Sequence, residues 1–222
     1  MVIDLRASGR MPRMRLDHLA YAAGPDGLAN AVQRLGSTLG AGFDDGGLHP
    51  GFGTRNFILP LSGNIYLEAV GALDHPAVDK AAFGRAVKQR GEAGGGWLAW
   101  VIAVDDIAPF EQRLGRQALE GHRRRPDGTV VKWKQIGVHE LLDDPTLPFF
   151  VEWQCEPEDH PAANGPPLPR LEKMEICGDH DTVAVWLGTP LEIHVPVEWV
   201  DADRPGVVAV HFTTAHGTVR VE

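Results

Sequence analysis

In RLDHLAYAAGPDGL, Arg15 to Leu28, apolar residues alternate along a short run, a Gly-Pro-Asp break follows, and Leu28, Val32 and Leu35 then recur at the spacing of one helix face. This pattern predicts a strand, an acidic N-cap and a helix. GGWLAWVIAVDDI, Gly95 to Ile107, has the same order: an apolar run, Asp-Asp, then a helical stripe through Ile107, Phe110 and Leu114. VQRLG at Val32 to Gly36 recurs as EQRLG at Glu111 to Gly115, so the two segments are copies in one register. A third echo, RLEKMEICGDHDTVAVWLG from Arg170 to Gly188, begins after the polar, proline-rich connection EPEDHPAANGPPLP, Glu156 to Pro169.

Strands follow each helix. TRNFILPL (Thr54 to Leu61) and NIYLEAV (Asn64 to Val70) are joined by a tight Ser62-Gly63 turn of hairpin type. TVVKWKQIG (Thr129 to Gly137), entered through an Arg-Pro-Asp-Gly turn, and PFFVEWQC (Pro148 to Cys155) match them in the second copy. The tail adds LEIHVPVEWV and a last hairpin around Ala215 to Gly217. The expectation is an α+β protein of repeated βαβββ modules, at about 14–90 and 91–160. A βαββ half-module at 170–222 packs on the 14–160 unit. HPGFGTRNF, His49 to Phe57, reads as a loop entering a strand, with Thr54 and Asn56 on one face and Arg55 on the other.

Alternation assigns faces. His18 falls with Leu16, Ala20 and Ala22, Glu68 with Asn64 and Tyr66, and Glu152 with Phe150 and Gln154. A carboxylate among large apolar neighbours is costly unless paired or metal-bound, so Glu68 and Glu152 mark a site.

Composition narrows the classes. The chain has 222 residues, enough for one large or two small cores, and its 26 glycines and 17 prolines imply many turns. A net charge of −9 argues against nucleic acid and anionic membranes as partners. The one basic run, HRRRP at His122 to Pro126, reads as a solvated strand end, with steering of an anionic ligand as the other reading. Cys155 and Cys177 are too few and too far apart for a metal knuckle or disulfide framework, and point to a reducing compartment. The first dozen residues read as a loose leader, no run of about 18 apolar residues is present to span a bilayer, and the expected location is the cytoplasm. Phosphate-loop and nucleophile-elbow motifs are absent.

Repeated βαβββ modules with His in a first strand and Glu in a last strand resemble the vicinal oxygen chelate superfamily, in its glyoxalase-like branch. LDHLAYA, LHPGFGTRNF, IYLEAV, WLAWVIAVDD, RRRPDGTVVKW, LPFFVEW and His160-Pro161 carry the resemblance. It implies an eight-stranded cup enclosing a divalent ion, zinc, nickel, manganese or iron, held by His18, Glu68 and Glu152. The fourth ligand place departs from the pattern: the VQRLG/EQRLG register puts Trp97 opposite His18, and His49, His139 or a water would have to substitute. Glu68 or Glu152 would act as general base, and His49, Thr54, Asn56, Tyr66, Trp97, Trp133 and Phe150 would line a substrate site. The implied activity is a metal-dependent lyase, isomerase or hydrolase acting on a small oxygenated molecule. A non-catalytic, sequestering binder is the competing class, and a homodimer stays open. His194, His211 and His216 read as structural.

Overall fold

A computed structural model describes residues 13–163, 165–188 and 196–222 of the chain. The first module runs β1 (Met14–Ala22), α1 (Leu28–Leu39), β2 (Asp44–His49), β3 (Thr54–Leu61) and β4 (Ile65–Ala72). Helices α2 (Ala77–Lys80) and α3 (Ala82–Glu92) lead to the second: β5 (Gly96–Val104), α4 (Ala108–Leu114), β6 (Leu119–Arg124), β7 (Val130–Ile136), α5 (Val138–Asp143) and β8 (Phe149–Trp153). Eight strands close in the order β1-β4-β3-β2-β6-β7-β8-β5, so each module supplies one contiguous half of the wall. This is the α+β arrangement of repeated modules read from the sequence, closed into the eight-stranded cup that the resemblance implies. β2 and β6 are strands where the pattern predicted a loop and a solvated strand end, and His49 therefore ends a strand.

The helix starts differ from one another. Asp26 does not cap α1: Gly27 holds the cap position with no side-chain bond, and Asp26 pairs with Arg34 instead. Asp106 does accept the amide of Ala108 at the start of α4, at 3.0 Å.

Past the connection, β9 (Arg170–Cys177), α6 (His180–Leu187), β10 (Val197–Trp199), β11 (Gly206–Thr214) and β12 (Gly217–Val221) form a four-stranded sheet in the order β10-β9-β11-β12. The tail thus has one strand more than the expected βαββ. Its order also differs from the modules, because β9 pairs with β10 and β11 and lies inside the sheet rather than at an edge. His194 lies outside the described residues. His211 pairs with Glu175 across this sheet, and His216 sits in its last turn.

Two apolar layers result. Leu19, Leu35, Leu59, Trp97, Trp100, Phe110 and Phe150 on the outside of the barrel merge with Leu171, Met174, Leu187 and Phe212 of the tail into one core. Ala20, Ala99, Val101, Ala103, Phe149 and Val151 face inward and meet Phe83 and Val87 of α3 and Leu141 of α5.

Candidate active site

The inner face gathers polar groups that the apolar layers would otherwise exclude. His18, His49, Asn56, Tyr66, Glu68, Arg123 and Gln135 share a cavity with Phe52, Phe83, Trp133, Phe149, Val151 and Trp153. Each of the polar ones is buried. Gly121 lies opposite Trp133, whose indole occupies the space that a side chain on β6 would take, with a Cβ there meeting the ring at 2.3 Å.

A bulge in β1 builds the centre. The β1–β5 register skips Asp17 between Leu16 and His18, which turns Leu16 to the outer core and His18 inward. The carboxylate of Asp17, wholly buried, then accepts from His18 Nδ1 at 2.9 Å, from His160 Nε2 at 3.0 Å and from Trp153 Nε1 at 3.2 Å. Burial favours the protonated acid, but the bonds from His160 and His18 outweigh it and hold Asp17 well below the usual carboxylate range. An ionised Asp17 can only accept, so His18 carries its proton on Nδ1 and turns Nε2 to the cup. Ala162 N donates to His160 Nδ1, which sets the opposite tautomer on that ring.

Across from His18 stands Glu68, its Oε2 3.9 Å from Nε2, while its Oε1 accepts from Asn56 Nδ2 at 2.7 Å. Tyr66 stacks on the His18 ring at 4.4 Å, and burial pushes its phenol well above the ordinary range. His49 bonds Thr54 Oγ1 at 3.0 Å, and burial, with Arg123 nearby, pulls its pKa down to about 3. The turn between them, His49 to Thr54, closes on Gly53 at φ 65°, with Val78 N 2.5 Å from where a Cβ would sit, whereas Gly51 faces open space.

A family model described as "Glyoxalase-like domain" matches residues 16–191. The chain belongs to the glyoxalase-like domain family. The match takes in both modules and the start of the tail sheet, and places the protein in the vicinal oxygen chelate superfamily. Among solved structures, a hypothetical protein from Staphylococcus aureus is 15% identical, with a TM-score of 0.65 over 95% of this chain and 99% of its own. Methylmalonyl-CoA epimerase from Mycobacterium tuberculosis is 16% identical, with a TM-score of 0.43 over 63% of this chain and 86% of its own. These are likenesses of fold. Comparison with functionally characterised proteins finds no match.

In this glyoxalase-like cup, the residues expected from sequence divide in two. His18, His49, Asn56, Tyr66, Glu68 and Trp133 come together, and Thr54 supports His49 from behind. Glu152 does not join them: with Phe149, Val151 and Trp153 inward, it points outward and accepts from Ile107 N at 2.8 Å at the start of α4. Phe150 shares its outer face and packs on Phe110 at 4.1 Å. Trp97 is also outside, because the bulge between Ala20 and Tyr21 in the pairing shifts the face of β5, and its Nε1 donates to Val221 O at 3.0 Å. His139 is exposed on α5.

Strand partners correct the alignment of the two modules. His18 pairs with Tyr66 and Ala20 with Glu68, while Val101 pairs with Phe149 and Ala103 with Val151. The counterpart of His18 is thus Val101 rather than Trp97, and that of Glu68 is Val151 rather than Glu152. The VQRLG repeat misled because it lies inside α1 but ends α4, where Gly115 is the left-handed cap. The cup thus offers two imidazoles and one carboxylate, His18, His49 and Glu68, but they do not converge as ligands: no group of three or more His, Cys, Asp or Glu suited to a metal occurs among the described residues. Catalytic metal centres use about three protein ligands, so these residues do not fit the divalent ion that the resemblance implies. The amides nearby do not complete the set: Asn56 donates to Glu68, and Gln135 Oε1 accepts from Trp133 Nε1 at 2.8 Å.

Sequence reasoning missed Asp17, His160, Gln135 and the aromatic pair Phe52 and Phe83 as parts of the site, whereas Trp153 reads from the sequence as core or cup lining and does line the cup. Arg123 had a signal in the basic run, but only strand alternation in β6 separates it, buried, from exposed His122 and Arg124.

Proposed function

We propose that the cup is the active site of an acid–base enzyme of the lyase or isomerase type, acting on a small oxygenated organic molecule. The single observation behind this reading is the pair of His18 and Glu68, 3.9 Å apart in the lining of a buried cavity, with His18 oriented by an ionised Asp17. Glu68, held by Asn56, takes the proton from a carbon that bears a hydroxyl beside a carbonyl group. His18 Nε2 takes the hydroxyl proton and passes it to the carbonyl oxygen, and Glu68 returns its proton to the former carbonyl carbon, with Asp17 stabilising the transient imidazolium. The aromatic walls exclude water from the step.

The metal-dependent variant of this reading needs a third donor converging with His18 and Glu68; Glu152 is turned from the cup, and His49, though it lines the cup, forms no metal-suited group with them. Elemental mass spectrometry on protein purified without nickel resin or chelator tests it. Near-stoichiometric zinc, nickel, manganese or iron that vanishes in His18→Ala and Glu68→Ala would restore the metal reading. A non-catalytic binder is the second reading, favoured by Val101 and Val151 at the module-two counterparts of His18 and Glu68.

Proton exchange in deuterium oxide separates the two readings. A panel of small hydroxy- and ketoacids, aldehydes and ketones is followed by NMR with wild type, Glu68→Gln and His18→Gln. A compound whose carbon-bound hydrogen exchanges with wild type, and about 100-fold or more slowly with either variant, supports the enzyme. Binding without exchange across the panel supports the binder.

A further inference from the structure

We infer that the ligand of the cup is a monoanion whose carboxylate pairs with Arg123, with the rest of the molecule held between the aromatic walls. This rests on the reading of the cup as a small-molecule site and adds the chemical class of the ligand.

Arg123 projects from β6 into the cavity and is only 4% exposed. Among the described residues no carboxylate lies within salt-bridge distance of its guanidinium, and its Nε is buried without a hydrogen-bond partner. Burial presses on the charge and lowers its pKa; Tyr66 and Glu68 pull the other way without offsetting it, and Arg125 adds like-charge repulsion. Glu68 is the acid nearest in kind, but both its oxygens are engaged elsewhere, one on Asn56 and the other toward His18. A guanidinium does not escape this cost by losing its proton, as a buried lysine does. What relieves it is an external anion.

The geometry and charge around Arg123 select the anion. A guanidinium fork matches the two oxygens of a carboxylate. Arg123 is the one Arg or Lys lining the cup, and the carboxylates of Glu68 and Asp17 are close by, so a dianion such as a phosphate monoester meets net repulsion. Arg123 also borders an outer cavity whose lining is acidic, with Asp44, Asp45, Asp127 and Glu158 beside an Arg125 already paired with Asp159, so Arg123 is the cation left for an anion.

Paired probes that differ only in charge test the inference. Acetate and benzoate are titrated beside acetamide and benzamide, with tryptophan fluorescence reporting from Trp133 and Trp153 in the wall, against wild type, Arg123→Lys and Arg123→Gln. Wild type should prefer each carboxylate by about 10- to 100-fold, Arg123→Lys should keep part of the preference, and Arg123→Gln should bind acid and amide alike. Equal binding of acid and amide by wild type overturns the inference, and so does a preference that survives in Arg123→Gln. Wild type that binds neither member overturns it as well, while proton exchange at Glu68 and His18 is judged by its own measurement. An independent reading comes from thermal unfolding without ligand. Arg123→Met, which removes the unpaired charge and keeps the volume, should raise Tm. A lowered Tm would mean that Arg123 serves the fold and would count against the inference.

Discussion

Asp17 shows how much one carboxylate decides when it is buried among donors. Asp17→Asn keeps the shape but replaces one of the two acceptor oxygens with an N–H, so either His18 or His160 loses its acceptor and the charge that fixes the His18 tautomer is gone. Stability should fall by about 1–3 kcal/mol in urea unfolding, and proton exchange should slow with little change in ligand affinity. The pH dependence has a defined sign. Asp17 is held below its ordinary range in the folded chain, so its contribution is whole above the unfolded value near 3.8 and is lost as the pH falls through the lowered one.

His49 acts in a higher window. It stays neutral in the fold down to about 3, whereas the unfolded chain takes up that proton below the ordinary 6.5, so acid favours unfolding between those values. The slope approaches about 1.4 kcal/mol per pH unit, and His49→Gln should flatten it in denaturant titrations at pH 7, 6 and 5. Glu152→Ala, by contrast, removes an acceptor at the start of α4, for about 1 kcal/mol, and should leave exchange in the cup unchanged. Glu68 was legible as an inward residue because its strand alternates cleanly, and His18 because alternation holds on its C-terminal side, through Ala20. Asp17 was not, because a bulge breaks the alternation at that residue and nothing in the local pattern announces it.

At the scale of elements, the turn from His49 to Thr54 is both a turn and a wall of the site: it carries His49 and Phe52 inward and rests on α2. Its two glycines predict opposite results. Gly53→Ala meets both an unfavourable φ and the backbone of Val78, and should cost about 1–3 kcal/mol. Gly51→Ala meets nothing within 4 Å and should stay within about 0.5 kcal/mol, as urea unfolding of the pair will show. Most strands could be read from apolar alternation, but β2 and β6 could not. DDGGLH and LEGHRR lack the β-branched and aromatic residues that mark strands, and they extend because neighbours on the barrel satisfy their backbones. α3, between the modules, fills the cup with Phe83 and Val87 although no repeat predicted it.

For the whole molecule, the tail sheet is part of the barrel's stability. Phe212 stacks near Trp97, and Trp186 lies beside Phe150 and donates to Pro148 O at 2.7 Å. Uncovering such side chains costs about 1.5–3 kcal/mol each, against a total stability of about 5–15 kcal/mol for a domain. A chain ending at Pro169 should therefore be insoluble or lose its cooperative transition, while the full chain unfolds in one step by fluorescence and circular dichroism together. Two separate transitions in the full chain would show the tail to be independent. Local patterning was sufficient for the repeat, most strands, the first helix of each module and the two inward groups of module one, because alternation and helical spacing are properties of neighbouring residues. The partner of each group was settled only in three dimensions. Bulges and unequal helix lengths shift faces by single residues, and barrel closure then turned Glu152, Phe150 and Trp97 out and brought Asp17, Arg123 and His160 to the cup.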